Sequence, residues 1–101
     1  MKYRTLGKTG LKVSEIGFGC WGIGGGAPND MWKARDENSR KALRKAVELG
    51  INFFDTAFVY GQGHSEKLVG ELAKEHSIIV ATKVPPKKRM WPATGDIKEA
   101  F

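Results

Sequence analysis

The sequence predicts an α/β fold: a parallel sheet with crossover helices, preceded by a β-hairpin. Three observations predict it. Extended and helical patterns alternate along the chain after residue 16, and that order builds a parallel sheet with crossover connections. The segment "SIIVATKV" at 77–84 is a near-continuous β-branched run, the pattern of a parallel strand buried on both faces. Ahead of both, "KYRTLGKTGLKVSEIGFG" reads as two short strands around a turn.

The elements follow in order. Gly7 and Gly10 supply the hairpin turn, and Val13 and Ile16 lead into the second extended run. Residues 16–20, "IGFGC", form a short strand, and "GIGGG" at 22–26 is a loop. From Asp36 the period becomes helical. Ala42, Leu43, Ala46 and Val47 recur on one face, with Arg40, Lys41, Arg44, Lys45 and Glu48 on the other. Asp36 or Ser39 caps its start, and Gly50 closes its end. "INFFD" at 51–55 is a strand too short and too apolar to face water. A second helix runs from about Ser65, with Leu68, Val69 and Leu72 inward. After the strand at 77–84, "PPKKRMWPATG" is a long loop, and Asp96 and Glu99 have the capping-box spacing of a new helix. No linker or low-complexity segment interrupts the chain. Phe101 falls about where that helix begins, so the expectation is the N-terminal portion of a larger domain.

Bulk composition narrows the function classes. The chain has 101 residues, 41% hydrophobic and 28% charged. No segment approaches the roughly 18 uncharged apolar residues of a membrane helix. "MKYRTLGKTGLKVSE" carries basic residues without an apolar core after them, so no signal peptide is expected. The single cysteine, Cys20, cannot make an internal disulfide, and a cytoplasmic setting is expected. The net charge of +6 raises nucleic acid as a partner. However, the cations are spread along the chain and sit beside acids, as in "KARDENSRKALRKAVE", and "KKR" at 87–89 is too short for a basic arm. Neither a membrane nor a nucleic-acid partner is expected.

In parallel α/β folds, functional side chains gather at the C-terminal ends of the strands. Asp55 ends "INFFD", Lys83 ends "IIVATK", and Cys20 and Trp21 end "IGFGC". Tyr60 lies in the loop after Asp55. Asp, Tyr and Lys on one rim make a proton-transfer device. A free phenol titrates near pH 10, too high for easy proton work at neutral pH. An adjacent ammonium favours the phenolate, and a nearby carboxylate keeps a partly buried lysine charged. The expectation is that Asp55 holds Lys83 charged, Lys83 tunes Tyr60, and Tyr60 exchanges a proton with substrate.

Three stretches, "YRTLGKTGLKVSEIGFGCWGIGG", "ALRKAVELGINFFDTAFVYGQGHSEKLVGELAK" and "IIVATKVPP", together resemble the aldo-keto reductase family, most closely its bacterial-type branch. The resemblance implies a (β/α)8 TIM barrel whose N-terminal hairpin closes the bottom. It implies NADPH, or less often NADH, and reduction of small aldehydes or ketones. Asp55, Tyr60 and Lys83 match the family's catalytic aspartate, tyrosine and lysine. Cys20, Trp21 and Gly22 match the loop that meets the nicotinamide end of the cofactor and the substrate pocket, beside Asp55. The sequence also departs from the family. The family's catalytic histidine follows the fourth strand, whereas His64 and His76 both precede "SIIVATKV". Phe58 stands where many relatives have a polar residue, and Cys20 where many have threonine.

Plainer roles compete for each residue. Asp55 can cap the loop that follows it, Lys83 alone reads as a solvated strand end, and Tyr60 alone as packing. His64 positions the start of the next helix. "GIGGG" lacks the Lys-Ser/Thr of a phosphate loop. Trp32 and Trp91 either line a pocket or pack on the scaffold. Cys20 reads as a buried small residue, since no base stands beside it in sequence. Three functions compete as well: an NAD(P)H-dependent carbonyl reductase, inactive as this stretch alone; a cofactor-holding, channel-associated subunit with little turnover; and a non-functional gene fragment.

Overall fold

The computed structural model describes residues 1–25 and 36–85. Trp32, Trp91, the "KKR" cluster, Asp96 and Glu99 lie outside the described residues.

Strands β1 (Tyr3–Thr5) and β2 (Lys12–Ser14) form the antiparallel hairpin, with Arg4 opposite Val13. The sheet proper contains β3 (Phe18–Gly19), β4 (Phe53–Asp55) and β5 (Ile79–Ala81), all parallel, in the order β3-β4-β5. Helices α1 (Asp36–Glu48) and α2 (His64–Glu75) are the crossovers. Among the described residues, no helix is long and apolar enough to cross a membrane.

The core lies between the sheet and the helices. Phe54 projects from β4 onto Leu43 and Ala46 of α1 and Leu68, Val69 and Leu72 of α2, with Cys20 and Ile23 joining from the loop after β3. Phe18 and Phe54 stack at 5.7 Å between ring centroids. Burying a side chain of this size contributes about 1.5–3 kcal/mol. Arg40 and Glu71 clasp the outer faces of the two helices, the guanidinium donating to both carboxylate oxygens at 2.9 and 3.3 Å.

Several elements differ in detail from the sequence expectation. The strand expected over 16–20 narrows to two residues, and that expected over 77–84 narrows to three. Hydrogen bonding past Ala81 passes to loop residues, so regular strand pairing stops while the chain stays aligned. The run reads as a strand buried on both faces, yet Val80 within it is 40% exposed. The loop expected at 22–26 begins inside a 3-10 turn, Trp21–Ile23, closed by Gly24 N–H donating to Trp21 O at 3.1 Å. Leu43 and Ala46 are buried as expected and Val47 is half-buried, but Ala42 is exposed and Ser39 takes an inward position in its place. Ser39 is thus an inward residue within the helix and not its cap.

Candidate active site

The three parallel strands end level. Gly19 pairs with Asp55, and Asp55 with Ala81. The residues that follow leave the sheet at one height. Backbone bonds keep them aligned: Cys20 N–H donates to Asp55 O at 2.9 Å, Thr56 N–H to Ala81 O at 2.8 Å, and Phe58 N–H to Lys83 O at 3.2 Å. Strand side chains alternate between faces. Phe54 faces the helices, so Asp55 faces the opposite, inner side of the sheet.

Lys83 meets Asp55 there. Its Nζ donates to Asp55 Oδ1 at 2.8 Å and to the carbonyl of Thr56 at 2.9 Å. The same Nζ lies 5.3 Å from the centroid of the Tyr60 ring, within cation–π range. The structure therefore brings Asp55, Tyr60 and Lys83 together around one ammonium. The hydrogen bond that Lys83 donates to Asp55 holds the ammonium above the ordinary lysine value of 10.5. Desolvation opposes this, while the Asp55 charge and the nearby Tyr60 phenol add to it. Sequence reasoning expected a partly buried lysine rescued by a carboxylate. Instead both side chains are about half exposed, 56% for Lys83 and 49% for Asp55. The carboxylate thus fixes where the ammonium sits more than it rescues a buried charge.

Cys20 lies just behind this pair and is fully buried. Burial pushes its thiol up to about 12. The Asp55 charge raises it further and the Lys83 charge lowers it. A protonated thiol is a poor nucleophile, so Cys20 fills space and its main chain carries the contacts. Its neighbour Trp21 is 63% exposed on the rim. A Cβ added at Gly22 would meet no atom within 4 Å.

The segment after Tyr60 explains its "GQG". Gly61, Gln62 and Gly63 all have left-handed backbones, with φ of 71°, 54° and 95°. Three such residues in a row reverse the chain directly behind the phenol and deliver it to α2. Glycine is required at Gly61 on a second ground: a Cβ there would collide with the Gly24 carbonyl oxygen. A Cβ on Gly24 would lie 2.7 Å from the Tyr60 carbonyl carbon. The Trp21 loop and the Tyr60 loop are in backbone-to-backbone contact.

His64 is the first residue of α2. Its Nε2 lies 2.7 Å from Asp36 Oδ1 at the start of α1, so it joins two helix starts. Two buried hydroxyls escaped the sequence reading. Thr56 Oγ1 and Ser65 Oγ are 2.7 Å apart, and Ser65 also donates to the Cys20 carbonyl at 2.8 Å. The available signal was a Thr directly after a strand-end acid and a Ser beside a helix start, both in otherwise apolar surroundings.

The Aldo/keto reductase family model matches residues 15–100. The chain belongs to the aldo-keto reductase family. It is 42% identical to aldo-keto reductase YhdN of Bacillus subtilis over 88 residues, 82% of this chain and 25% of that protein. It is 38% identical to the uncharacterized oxidoreductase YqkF of the same organism over 109 aligned positions, 99% of this chain and 33% of that protein. The chain therefore spans a quarter to a third of the length of these curated relatives. Among solved structures, it superposes on the holo form of aldo-keto reductase AKR11C1 from Bacillus halodurans with a TM-score of 0.71 and 41% identity. That match covers 85% of this chain and 26% of the other. The thermostable aldo-keto reductase Tm1743, solved with the inhibitor epalrestat, gives 0.70 and 38%, covering 85% and 32%. The hairpin, level strands and crossover helices are thus part of the (β/α)8 barrel of this oxidoreductase family.

Proposed function

We propose that the intact protein reduces small aldehydes or ketones to alcohols at the expense of NADPH, with NADH the alternative donor. The observation that carries this is the Lys83 ammonium, 2.8 Å from Asp55 and 5.3 Å from the Tyr60 ring centroid, on the inner rim of the sheet.

The residues present fit the nicotinamide end of such a cofactor. Trp21 is exposed at the rim, Gly22 has open space around it, and the Asp55–Lys83 pair follows on the adjoining strand ends. Trp21, Gly22 and Asp55 would hold that end, whereas Cys20, expected beside them, is fully buried with its N–H and carbonyl already paired and backs the loop from behind. When bound, the cofactor supplies hydride for the carbonyl carbon. Tyr60 donates its hydroxyl proton to the carbonyl oxygen as general acid. The Lys83 ammonium stabilises the phenolate left behind, and solvent at the open rim returns the proton. Asp55 keeps Lys83 cationic throughout. A cytoplasmic location agrees with this reading.

Residues 1–101 alone do not turn over. Among the described residues, β3 and β5 each pair on one side only, and open parallel edges favour association over a closed site. The test is NADPH oxidation by the intact protein against an aldehyde and ketone panel, beside residues 1–101 alone. Carbonyl-dependent oxidation by the intact protein only is the expected result. Tight NADPH binding without oxidation would instead make the protein a cofactor-holding subunit.

A further inference from the structure

We propose that Ser65 is a positioning residue for this site: from one buried point it ties together the loops that carry Trp21, Tyr60 and the Asp55–Lys83 pair. The inference rests on the reductase reading for its catalytic consequence, while its geometry stands independently.

Ser65 is the second residue of α2 and is 0% exposed. A serine at a helix start ordinarily caps its own helix. Here the hydroxyl turns away from the helix to a partner 45 residues earlier, the carbonyl of Cys20. A carbonyl only accepts, so the single Ser65 proton is committed to it. The 2.7 Å contact with Thr56 is then a donation from Thr56 to Ser65. The main chain completes the hub, since Ser65 N–H donates to the Tyr60 carbonyl at 3.2 Å. Three segments thus meet at one residue. Cys20 precedes Trp21. Thr56 follows Asp55, and its carbonyl receives Lys83 Nζ at 2.9 Å. Tyr60 carries the phenol.

Buried polar groups that lose their partners either pay for desolvation or move to find new ones. Removing the Ser65 hydroxyl strands two such groups at once, the Cys20 carbonyl and the Thr56 hydroxyl. Residue 56 is the one that shifts Lys83, because its carbonyl is one of the two acceptors holding the ammonium. Misplacement of reacting groups by about 1 Å can cost roughly a hundredfold in rate.

The experiment uses the intact protein with Ser65→Ala, Thr56→Val and Thr56→Ser, each checked for cooperative melting. Two readouts are taken: Lys83 titration by NMR of labelled lysine, and kcat and KM for a carbonyl substrate. Ser65→Ala and Thr56→Val should each return Lys83 toward the ordinary value of 10.5. Each should also lower kcat by about tenfold to a hundredfold with little change in KM. Thr56→Ser keeps the hydroxyl and should behave as wild type. If Ser65→Ala does not fold, the Thr56 pair decides. Wild-type titration of Lys83 in folded Ser65→Ala or Thr56→Val would overturn the proposal, as would equal losses in Thr56→Ser and Thr56→Val. A wild-type protein that lacks carbonyl reduction but shows the Lys83 dependence would sink the reductase reading and leave the positioning role standing.

Discussion

The two ends of the parallel sheet are built from different chemistry. At the N-terminal end, neutral groups clasp the hairpin. Asn52 accepts from Ser14 N–H at 2.7 Å and donates to Lys12 O at 2.9 Å, while its own N–H donates to Ser14 Oγ at 3.1 Å. Ser14 Oγ donates to Ile16 O at 2.6 Å, and the Tyr3 hydroxyl to Gly50 O at 2.8 Å. No charged side chain takes part in these bonds. At the C-terminal end, an ion pair stands half exposed over a floor of buried hydroxyls. Neutral bonds between fixed partners hold a shape. A solvent-reachable charge pair beside a phenol contributes little to stability but can move protons. Under the proposed function, the comparison gives stability to one end and chemistry to the other, as barrels of this kind divide their labour.

The sharpest way to break that division is to remove the ammonium. Lys83→Met in the intact protein should lower carbonyl reduction by roughly 10²–10⁴-fold, the usual worth of a general acid–base assembly. Its melting temperature at neutral pH should stay close to wild type. A large loss of stability with activity retained would reverse the assignment of the two ends.

Asn52→Ala is the converse. It removes two bonds that hold the hairpin and leaves Ser14 N–H in a part-buried position without its acceptor. A loss of about 2–3 kcal/mol is expected by denaturant titration, with kcat per folded molecule unchanged. A fall in kcat matching that of Lys83→Met would erase the contrast. Gly61→Ala probes the seam between the Trp21 and Tyr60 loops. The left-handed backbone alone costs about 1–2 kcal/mol for a residue with a Cβ, and the clash with Gly24 must also be relieved. Both stability and kcat should fall, because this position serves the shape of the reactive end.

The hairpin, the helical face of α2 and the strand-end placement of Asp55 were legible in the sequence, whereas Lys83, expected to end its strand, lies two residues beyond β5. Each rests on a local pattern: Gly7 and Gly10 in a short turn, Leu68, Val69 and Leu72 at helical spacing, an acid closing an apolar run. What escaped is set by tertiary partners. Ala42 is neutral toward either face, and the direction of α1 was decided by Leu43 and Ala46 packing on the sheet. Val80 has the composition of a buried strand, but its exposure depends on what covers it. Ser65 and Thr56 are short hydroxyl residues of the kind found at any helix start or strand end. Only their meeting with each other and with Cys20, far apart in sequence, gives them a shared role. The steric need at Gly61 likewise depends on Gly24, on another loop.

The smallest expected effect is in pH dependence. Lys83 titrates higher in the folded chain than unfolded. Its pairing therefore stabilises fully below the unfolded lysine value and is lost as pH rises through the raised folded value. Wild-type protein should lose slightly more stability than Lys83→Met as pH climbs past 10.5, read from melting temperatures taken across that range. Identical alkaline profiles would mean that the pair contributes nothing to folding.

The most direct test of the reactive end is Tyr60→Phe in the intact protein, with kcat for carbonyl reduction and the Kd for NADPH measured on the same preparation. The phenyl ring keeps the packing and the face presented to Lys83, and only the transferable proton is lost. The account predicts a fall in kcat of roughly 10²–10⁴-fold with the cofactor Kd nearly unchanged. A variant that retains full turnover would contradict it, and Tyr60 would then be a packing residue.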